Sequence, residues 1–123
     1  TRLPVTVALL ESPAGLLLQR RPAGGLLANL WQPPAFEGLA LTRDQLDGEL
    51  ARLGVRVRWE AALPAARHVF THRIWELGGW RGRANEAPPL PDGYAWARGE
   101  ELAEQYPVPS AFRAYLPQAG RRE

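Results

Sequence analysis

The sequence predicts one α+β domain in which a mixed β-sheet is flanked by helices. Its 123 residues suffice for a single moderate core. Short apolar segments with β-branched residues alternate with turns, whereas one longer segment has helical periodicity. The order is strand, strand, helix, several strands and two short helices, which is typical of a sheet covered by helices. We expect the domain to span residues 1–117, followed by a frayed tail at residues 118–123.

The first two strands are predicted to form a hairpin. Residues 3–11 are apolar and partly β-branched, residues 12–15 read Ser-Pro-Ala-Gly, and an extended pattern resumes at residues 16–20. A turn or short strand is expected at residues 26–31, and Pro33-Pro34 ends it.

The clearest helix is predicted at residues 42–53. Thr42 can cap its N-terminus, and Gln45 three residues later completes a capping box. Leucines at helical spacing line one face: Leu46, Leu50 and Leu53. Gly54 stands where a glycine commonly ends a helix.

Strands are expected again after this helix. Residues 55–59 are predicted as a strand, with Arg56 and Arg58 on the side opposite its apolar residues. Residues 68–80 contain a second candidate hairpin, and Gly78-Gly79 is expected near its turn.

The last part of the chain is predicted to form a loop, a strand and two helices. Residues 85–92 are rich in proline and are expected as a loop, and residues 94–97 as a short strand. The helices are expected at residues 99–105 and 109–116, because Pro109 suits a first helical turn.

Composition excludes several kinds of site. Without cysteine the chain has no disulfide, thiolate zinc site, iron–sulfur cluster or cysteine nucleophile, and its two histidines argue against a multi-histidine metal site. All 15 basic residues are arginine, against 13 acids, so the net charge of +2 predicts only weak attraction to nucleic acid. We expect no metal and no cofactor in this chain.

The sequence also bears on membrane association and on chain length. The longest apolar runs have the length of strands, and no signal-peptide pattern opens the chain, so we expect no membrane partner. The absence of methionine, also at position 1, indicates a piece of a longer chain unless an initiator has been removed.

Three motifs stand in register along the chain. They are Arg21-Pro22 followed by GLLANLW at residues 25–31, HVFTHRIW at residues 68–75 and YPVP at residues 106–109. In this order they resemble the RP-x-x-GLLxGLWEFP, H-x-F-S/T-H and Y-P-L/V-P/S stretches in the C-terminal domain of MutY-type adenine DNA glycosylases. Their order and spacing agree across roughly the whole chain.

The resemblance implies a Nudix-like fold, in which a mixed sheet lies between helices, and a role in DNA repair. It departs from the family at Gln32-Pro33, where Glu-Phe is usual, and at Thr71, where many bacterial members have serine. Thr71 keeps the hydroxyl and adds a methyl group that restricts χ1.

A Nudix-like fold raises the alternative of a Nudix pyrophosphohydrolase. Such an enzyme needs G-x5-E-x7-R-E-U-x-E-E-x-G-U, because Mg²⁺ takes hard carboxylate oxygens while it bridges a diphosphate. Aligning the last glycine on Gly54 places three other residues at the carboxylate positions: Gly48, Ala51 and Arg52. Aligning the first glycine on Gly38 likewise supplies none: Leu53, Arg56 and Val57. A hydrolase would need atypical acids: Glu37, Asp44, Asp47 or Glu49.

The segment at residues 67–73 is the candidate lesion-recognition loop. 8-Oxoguanine carries a donor at N7 and a carbonyl at C8, whereas guanine has a bare N7 acceptor. A threonine hydroxyl with neighbouring backbone groups can supply an acceptor and a donor. The resemblance assigns lesion recognition to Phe70, Thr71 and His72, with Phe70 as a wedge or stacking platform. From the apolar pattern alone, Val69 and Phe70 would be core residues.

Other side chains are expected to support this loop. His68 is expected to order it through a hydrogen bond, and His72 to reach a base or a phosphate, whereas metal binding by the two histidines is discounted. Four arginines flank or follow the loop and are candidates for DNA phosphate contacts: Arg67, Arg73, Arg81 and Arg83. The alternative for each is a solvated hairpin face. Arg20 and Arg21 form a further candidate pair.

Three hypotheses follow for function. The first is a recognition domain of an A/G-specific adenine glycosylase, acting with the N-terminal catalytic domain of its parent chain on double-stranded DNA that contains 8-oxoguanine opposite adenine, in the bacterial cytoplasm at the nucleoid. The glycosidic chemistry would belong to the parent, since it needs a helical catalytic domain. The second is a hydrolase of oxidised nucleotides with atypical acids. The third is a protein-docking module that uses a Trp-rich surface.

Overall fold

The computed structural model describes residues 1–25, 27–106, 108–112 and 115–116. Its elements, in chain order, are β1 (Arg2–Ser12), β2 (Gly15–Arg20), β3 (Trp31–Gln32), β4 (Ala35–Glu37), α1 (Arg43–Ala51), β5 (Arg58–Ala62), β6 (Ala66–Val69), β7 (Ile74–Arg83), β8 (Tyr94–Ala97), α2 (Gly99–Glu104) and a 3₁₀ helix (Ser110–Phe112). The predicted tail lies outside the described residues, as do residues 113 and 114 of the last predicted helix, whose described part contains the 3₁₀ helix.

The strands form one mixed eight-stranded sheet with the order β3-β2-β1-β7-β5, in which β4 pairs with β1, β6 with β7 and β8 with β2. The central strands β1 and β7 are parallel from Arg2↔Ile74 to Glu11↔Arg83. β6 pairs with the first part of β7 and β5 with its last part. These two short strands therefore lie end to end along the same edge of the sheet.

Each face of the sheet carries its own hydrophobic cluster. On one face, Val7 and Trp75 pack in a cluster that also contains Phe112 and Tyr115, close to the 3₁₀ helix. On the other face, β1 packs against α1 through Leu46 and Leu50. Since both faces are covered, the predicted mixed sheet flanked by helices is confirmed.

The ends of α1 agree with the sequence. The Gln45 amide donates to Thr42 Oγ1, and the Thr42 amide donates to Gln45 Oε1, which completes the capping box. Gly54 has φ 78°. The Gly54 amide donates to Ala51 and the Val55 amide to Leu50, which are the two hydrogen bonds of a Schellman motif.

Several predicted elements are confirmed. The first hairpin is present, with Glu11 opposite Leu16, and β8 and the proline-rich loop before it lie where expected. The short α2 agrees with the first of the two predicted terminal helices.

In the described part of the chain, no helix is long and apolar enough to cross a membrane.

A strand follows the helix as predicted, but its predicted bounds of 55–59 are wrong, because β5 begins only at Arg58 and continues to Ala62. The Val55 amide is used by the helix-ending hydrogen bond to Leu50, and the Val55 side chain is buried beneath α1. These residues therefore close the helix before the chain can join the sheet.

The turn of the second hairpin was also placed wrongly. β6 and β7 do form a hairpin, but it turns at residues 70–73, and Gly78-Gly79 lies inside β7. A Cβ on Gly79 would lie 2.0 Å from the Val7 carbonyl oxygen, and Gly79 has φ 135°. The glycine is thus required by the close approach of β1, not by a turn.

We predict that Gly79→Ala destabilises the domain strongly and that Gly78→Ala does not. The added methyl at position 79 would meet backbone atoms of Val7, whereas a Cβ at position 78 has no atom within 4 Å. Overpacking and backbone strain together should cost roughly 3 kcal/mol or more at Gly79. Chemical denaturation of both variants measures the difference, and equal stabilities would contradict the account.

Tyr115 gives the fold a pH dependence at alkaline pH. It is fully buried and its hydroxyl donates to the Pro64 carbonyl at 2.9 Å. Burial raises the pKa of Tyr115 from 10.0 to about 12. The unfolded state therefore loses this proton at lower pH than the folded state, so stability is intact below pH 10 and falls as the pH rises toward 12.

We expect the free energy of unfolding to decrease by roughly 2 kcal/mol between about pH 10 and about pH 12. Lysine and cysteine, which also lose protons at alkaline pH, are absent from the chain. Tyr115→Phe should remove most of this slope in denaturant titrations at several pH values. An unchanged slope in that variant would assign the effect to other groups.

Candidate nucleic-acid interface

The hairpin between β6 and β7 ends in a tight two-residue tip. The last strand pair is Val69↔Ile74, after which the Phe70 amide donates to the Arg73 carbonyl at 2.7 Å. Thr71 and His72 remain at the tip and are exposed. Two of the three residues predicted to recognise a lesion are therefore held at a protruding turn, accessible to a ligand.

Phe70 forms the base of this tip. Its ring contacts the His68 ring edge-to-face at a centroid distance of 4.6 Å and the Trp75 ring at 4.9 Å. Phe70 is half-buried and packs against the core cluster that contains Trp75. The interpretation of Val69 and Phe70 as core residues is thus right for one side of the Phe70 ring and wrong for Val69, which is 64% exposed.

Below Trp75 lies a buried arginine. The Arg21 guanidinium is 5.3 Å from the centroid of the Trp75 ring and donates to Gln32 Oε1 at 3.0 Å and to Glu37 Oε2 at 2.7 Å. Only 7% of Arg21 is exposed. Arg21, Trp75 and Phe70 therefore contact one another in this order, from the interior to the foot of the tip. We call these three residues the stack.

The stack corrects one prediction and explains the motifs. Arg21 is unsuited to DNA backbone contact because it is buried, whereas Arg20 is exposed, 6.0 Å from the Trp31 ring. Trp31 in turn contacts Tyr106 edge-to-face at 4.9 Å. Residues of all three motifs thus pack on the same core cluster, a convergence that separate motif matches could not reveal.

The two histidines differ in their surroundings. His68 lies in β6 and His72 in the turn. Within the described residues the His68 imidazole makes no hydrogen bond, so the hydrogen bond expected to order the loop is not found there, and the ring contact to Phe70 is its contact with the tip. No cluster of three or more His, Cys, Asp or Glu side chains suited to a metal is found in that part of the chain.

The predicted phosphate-contacting arginines fall into two groups. Arg67 and Arg73 are exposed beside the tip. Arg81 and Arg83 lie at the other end of β7, about 20 Å or more along the strand. There Arg81 Nε is 3.7 Å and Arg83 Nε 3.4 Å from Glu60 carboxylate oxygens. The structure brings only the first pair to the tip.

Positive charge is concentrated on strands β5 to β7. Residues 56–83 contain six arginines and two glutamates, a net charge of +4, whereas the whole chain carries +2. The rest of the chain is therefore net negative. We call this set the basic edge: Arg56, Arg58, Arg67, Arg73, Arg81 and Arg83. The net charge of the whole chain does not reveal the basic edge, whereas a net charge counted over successive segments of the sequence would show it.

The chain start lies next to the tip. The Ile74 amide donates to the Thr1 carbonyl at 2.8 Å, just before the parallel pairing of β1 with β7 begins. Any polypeptide that precedes Thr1 therefore reaches this domain beside the exposed turn.

Two of the acids proposed for an atypical hydrolase are already engaged. Glu37 accepts the Arg21 hydrogen bond, and Asp47 Oδ1 accepts from the Trp59 indole at 2.7 Å.

Trp75 is fully buried, and the other tryptophans are half-buried against the two clusters, as expected of core residues: Trp31, Trp59, Trp80 and Trp96.

The sheet with helices on both faces defines a domain of the Nudix-like α+β class. The chain belongs to the NUDIX domain family, whose model matches residues 6–118. It is 31% identical to the adenine DNA glycosylase of Mus musculus over an alignment 116 residues long, and the aligned part makes up 81% of this chain and 21% of that relative. The chain therefore spans about a fifth of the length of this curated relative.

Solved structures agree with this fold. The C-terminal domain of mouse MUTYH, solved in complex with human PCNA, superposes with a TM-score of 0.68 at 24% identity and covers 98% of this chain and 94% of that chain. The MutT NUDIX hydrolase of Burkholderia pseudomallei gives a TM-score of 0.72 at 19% identity, with 96% and 98% coverage. The resemblance to the C-terminal domain of adenine DNA glycosylases and the Nudix-like fold are confirmed.

Proposed function

We propose that this chain is the DNA-repair recognition domain of an A/G-specific adenine glycosylase and that it senses 8-oxoguanine opposite adenine. The observation that carries the proposal is the tip of the β6–β7 hairpin. There Thr71 and His72 are exposed, and the Phe70 ring beneath them packs against Trp75. Recognition of one altered base requires polar groups that reach the ligand and are held in position before it binds.

Each residue has a role in this proposal. The Thr71 hydroxyl accepts a hydrogen bond from N7 of 8-oxoguanine, and neighbouring backbone amides donate to its C8 carbonyl. The exposed side of Phe70 stacks on or wedges beside the opened base step. His72 contacts a base or a phosphate. His68 acts indirectly, by holding the Phe70 ring.

The arginines beside the tip would bind the backbone. Arg67 and Arg73 are exposed and lie within the net positive strands, which suits them to neighbouring phosphates. Arg81 and Arg83 would act farther along the same duplex, since β7 carries them away from the tip.

The catalytic step is proposed to reside in an N-terminal domain of the parent chain, which would hydrolyse the N-glycosidic bond of the adenine. The position of Thr1 beside Ile74 supports this arrangement, because a preceding domain would be tethered next to the tip. This domain would then act without its own metal, cofactor or chemistry, in the bacterial cytoplasm at the nucleoid.

We predict a lesion preference that depends on the Thr71 hydroxyl. In titrations at low salt, the native chain should bind a duplex with 8-oxoguanine·A about tenfold more tightly than one with G·A, as one or two specific hydrogen bonds would provide. Thr71→Val should abolish most of this preference, and Thr71→Ser should retain it because the hydroxyl remains.

Two further variants control the experiment. Ser110→Ala removes an exposed hydroxyl elsewhere and should leave both affinities unchanged. Phe70→Ala should weaken binding to both duplexes and also lower stability, since its ring packs on Trp75. Equal binding of the native chain to both duplexes would contradict lesion sensing and favour a docking module. Mg²⁺-dependent phosphate release from an oxidised nucleotide would favour the hydrolase.

A further inference from the structure

A cavity of about 380 Å³ lies at the far end of β7 from the tip. Its lining includes Arg56, Arg58, Arg83, Asn85 and Glu86. Three arginines and one glutamate therefore surround it, together with the amide of Asn85. Guanidinium and amide groups are the donors that proteins direct at phosphate oxygens.

Two of these arginines are available to an anion. Arg83 is held by carboxylates, with Nε 3.4 Å from Glu60 and a terminal nitrogen 4.0 Å from Glu11. Arg56 and Arg58 are exposed, and among the described residues their side chains make no ion pair or hydrogen bond. The carboxylates fix Arg83 at the wall of the cavity, and Glu86 is the one acid that lines it beside the three arginines, so the lining keeps an excess of positive charge.

The arrangement of the strands connects this cavity to the tip. β6 and β5 lie end to end against β7, with Arg67 near the tip and Arg58 opposite Arg83 at the other end. The ten residues of β7 span about 30 Å at roughly 3.3 Å per residue. This length corresponds to about nine base pairs of duplex, at about 3.4 Å per phosphate of each strand.

We infer that Arg56, Arg58, Arg83 and Asn85 form a second phosphate site, which holds the backbone of the same duplex about nine base pairs from the lesion. A duplex along the edge formed by β6 and β5 meets arginines at both ends, whereas a free nucleotide would occupy one end only. The inference rests on the proposed function in that the duplex contacted is the one whose lesion lies at the tip.

The test compares salt dependence on long and short duplexes. Arg56→Gln/Arg58→Gln should lower the slope of log affinity against log salt by about 2 on a duplex of about 30 base pairs with a central lesion, because each lost phosphate contact removes about 0.9. A duplex of about ten base pairs with a central lesion extends only about five base pairs toward the cavity and ends before it. On this short duplex, native and variant chains should have the same slope.

Arg98→Gln is the control for the two single edge variants. It removes one positive charge from an exposed residue directly after β8, away from the basic edge, and should keep the native slope on the long duplex. Arg56→Gln and Arg58→Gln should each lower that slope by about 0.9. An equal slope for native chain and edge variant on the long duplex would overturn the inference. So would an equal loss of slope on the long and the short duplex, or no binding of the long duplex by the native chain.

These measurements distinguish a failure of the lesion-sensing proposal from a failure of the phosphate-site inference. Lesion preference is the ratio of affinities for 8-oxoguanine·A and G·A duplexes, and the edge variant should leave that ratio unchanged. A reduced slope without any lesion preference would keep the phosphate site and reject lesion sensing. A lesion preference with an unchanged slope would reject the phosphate site alone.

Discussion

The parallel pairing of β1 with β7 is the constraint on which the rest of the structure depends. It joins residues 2–11 to residues 74–83 and divides the core into two clusters. It requires a glycine at position 79, because the Val7 carbonyl occupies the space of a side chain. It also leaves the outer side of β7 to β6 and β5, which carry the exposed tip and much of the basic edge.

The second determinant is the stack of Arg21, Trp75 and Phe70. Arg21 balances its buried charge against Glu37, which is partly exposed, and covers one face of Trp75. Phe70 then rests edge-to-face on Trp75. Recognition of a nucleobase needs exposed polar residues that are held in place from below, as Thr71 and His72 are by the packed Phe70 ring. Less conformational entropy is then lost when the ligand binds. The packing of the motifs thus supports the proposed function more directly than their sequence similarity.

Elements governed by local signals were predictable from the sequence. The capping box at Thr42, the helix end at Gly54 and the first hairpin depend on residues a few positions apart, and the structure confirms them. Gly78-Gly79 resembled a turn because the reason for Gly79 is a strand about 70 residues earlier in the chain. The burial of Arg21 likewise depends on distant partners. Motif similarity indicated the tip residues, but not which of them protrude.

The most direct test of the central account is amide chemical-shift mapping of this 13.6 kDa chain with matched duplexes. The account predicts that the Thr71 and His72 amides shift with an 8-oxoguanine·A duplex and much less with G·A, while the buried Leu50 amide in α1 stays unchanged with both. The account would be contradicted if the tip amides responded equally to both duplexes, or remained unshifted while other surfaces responded to the lesion.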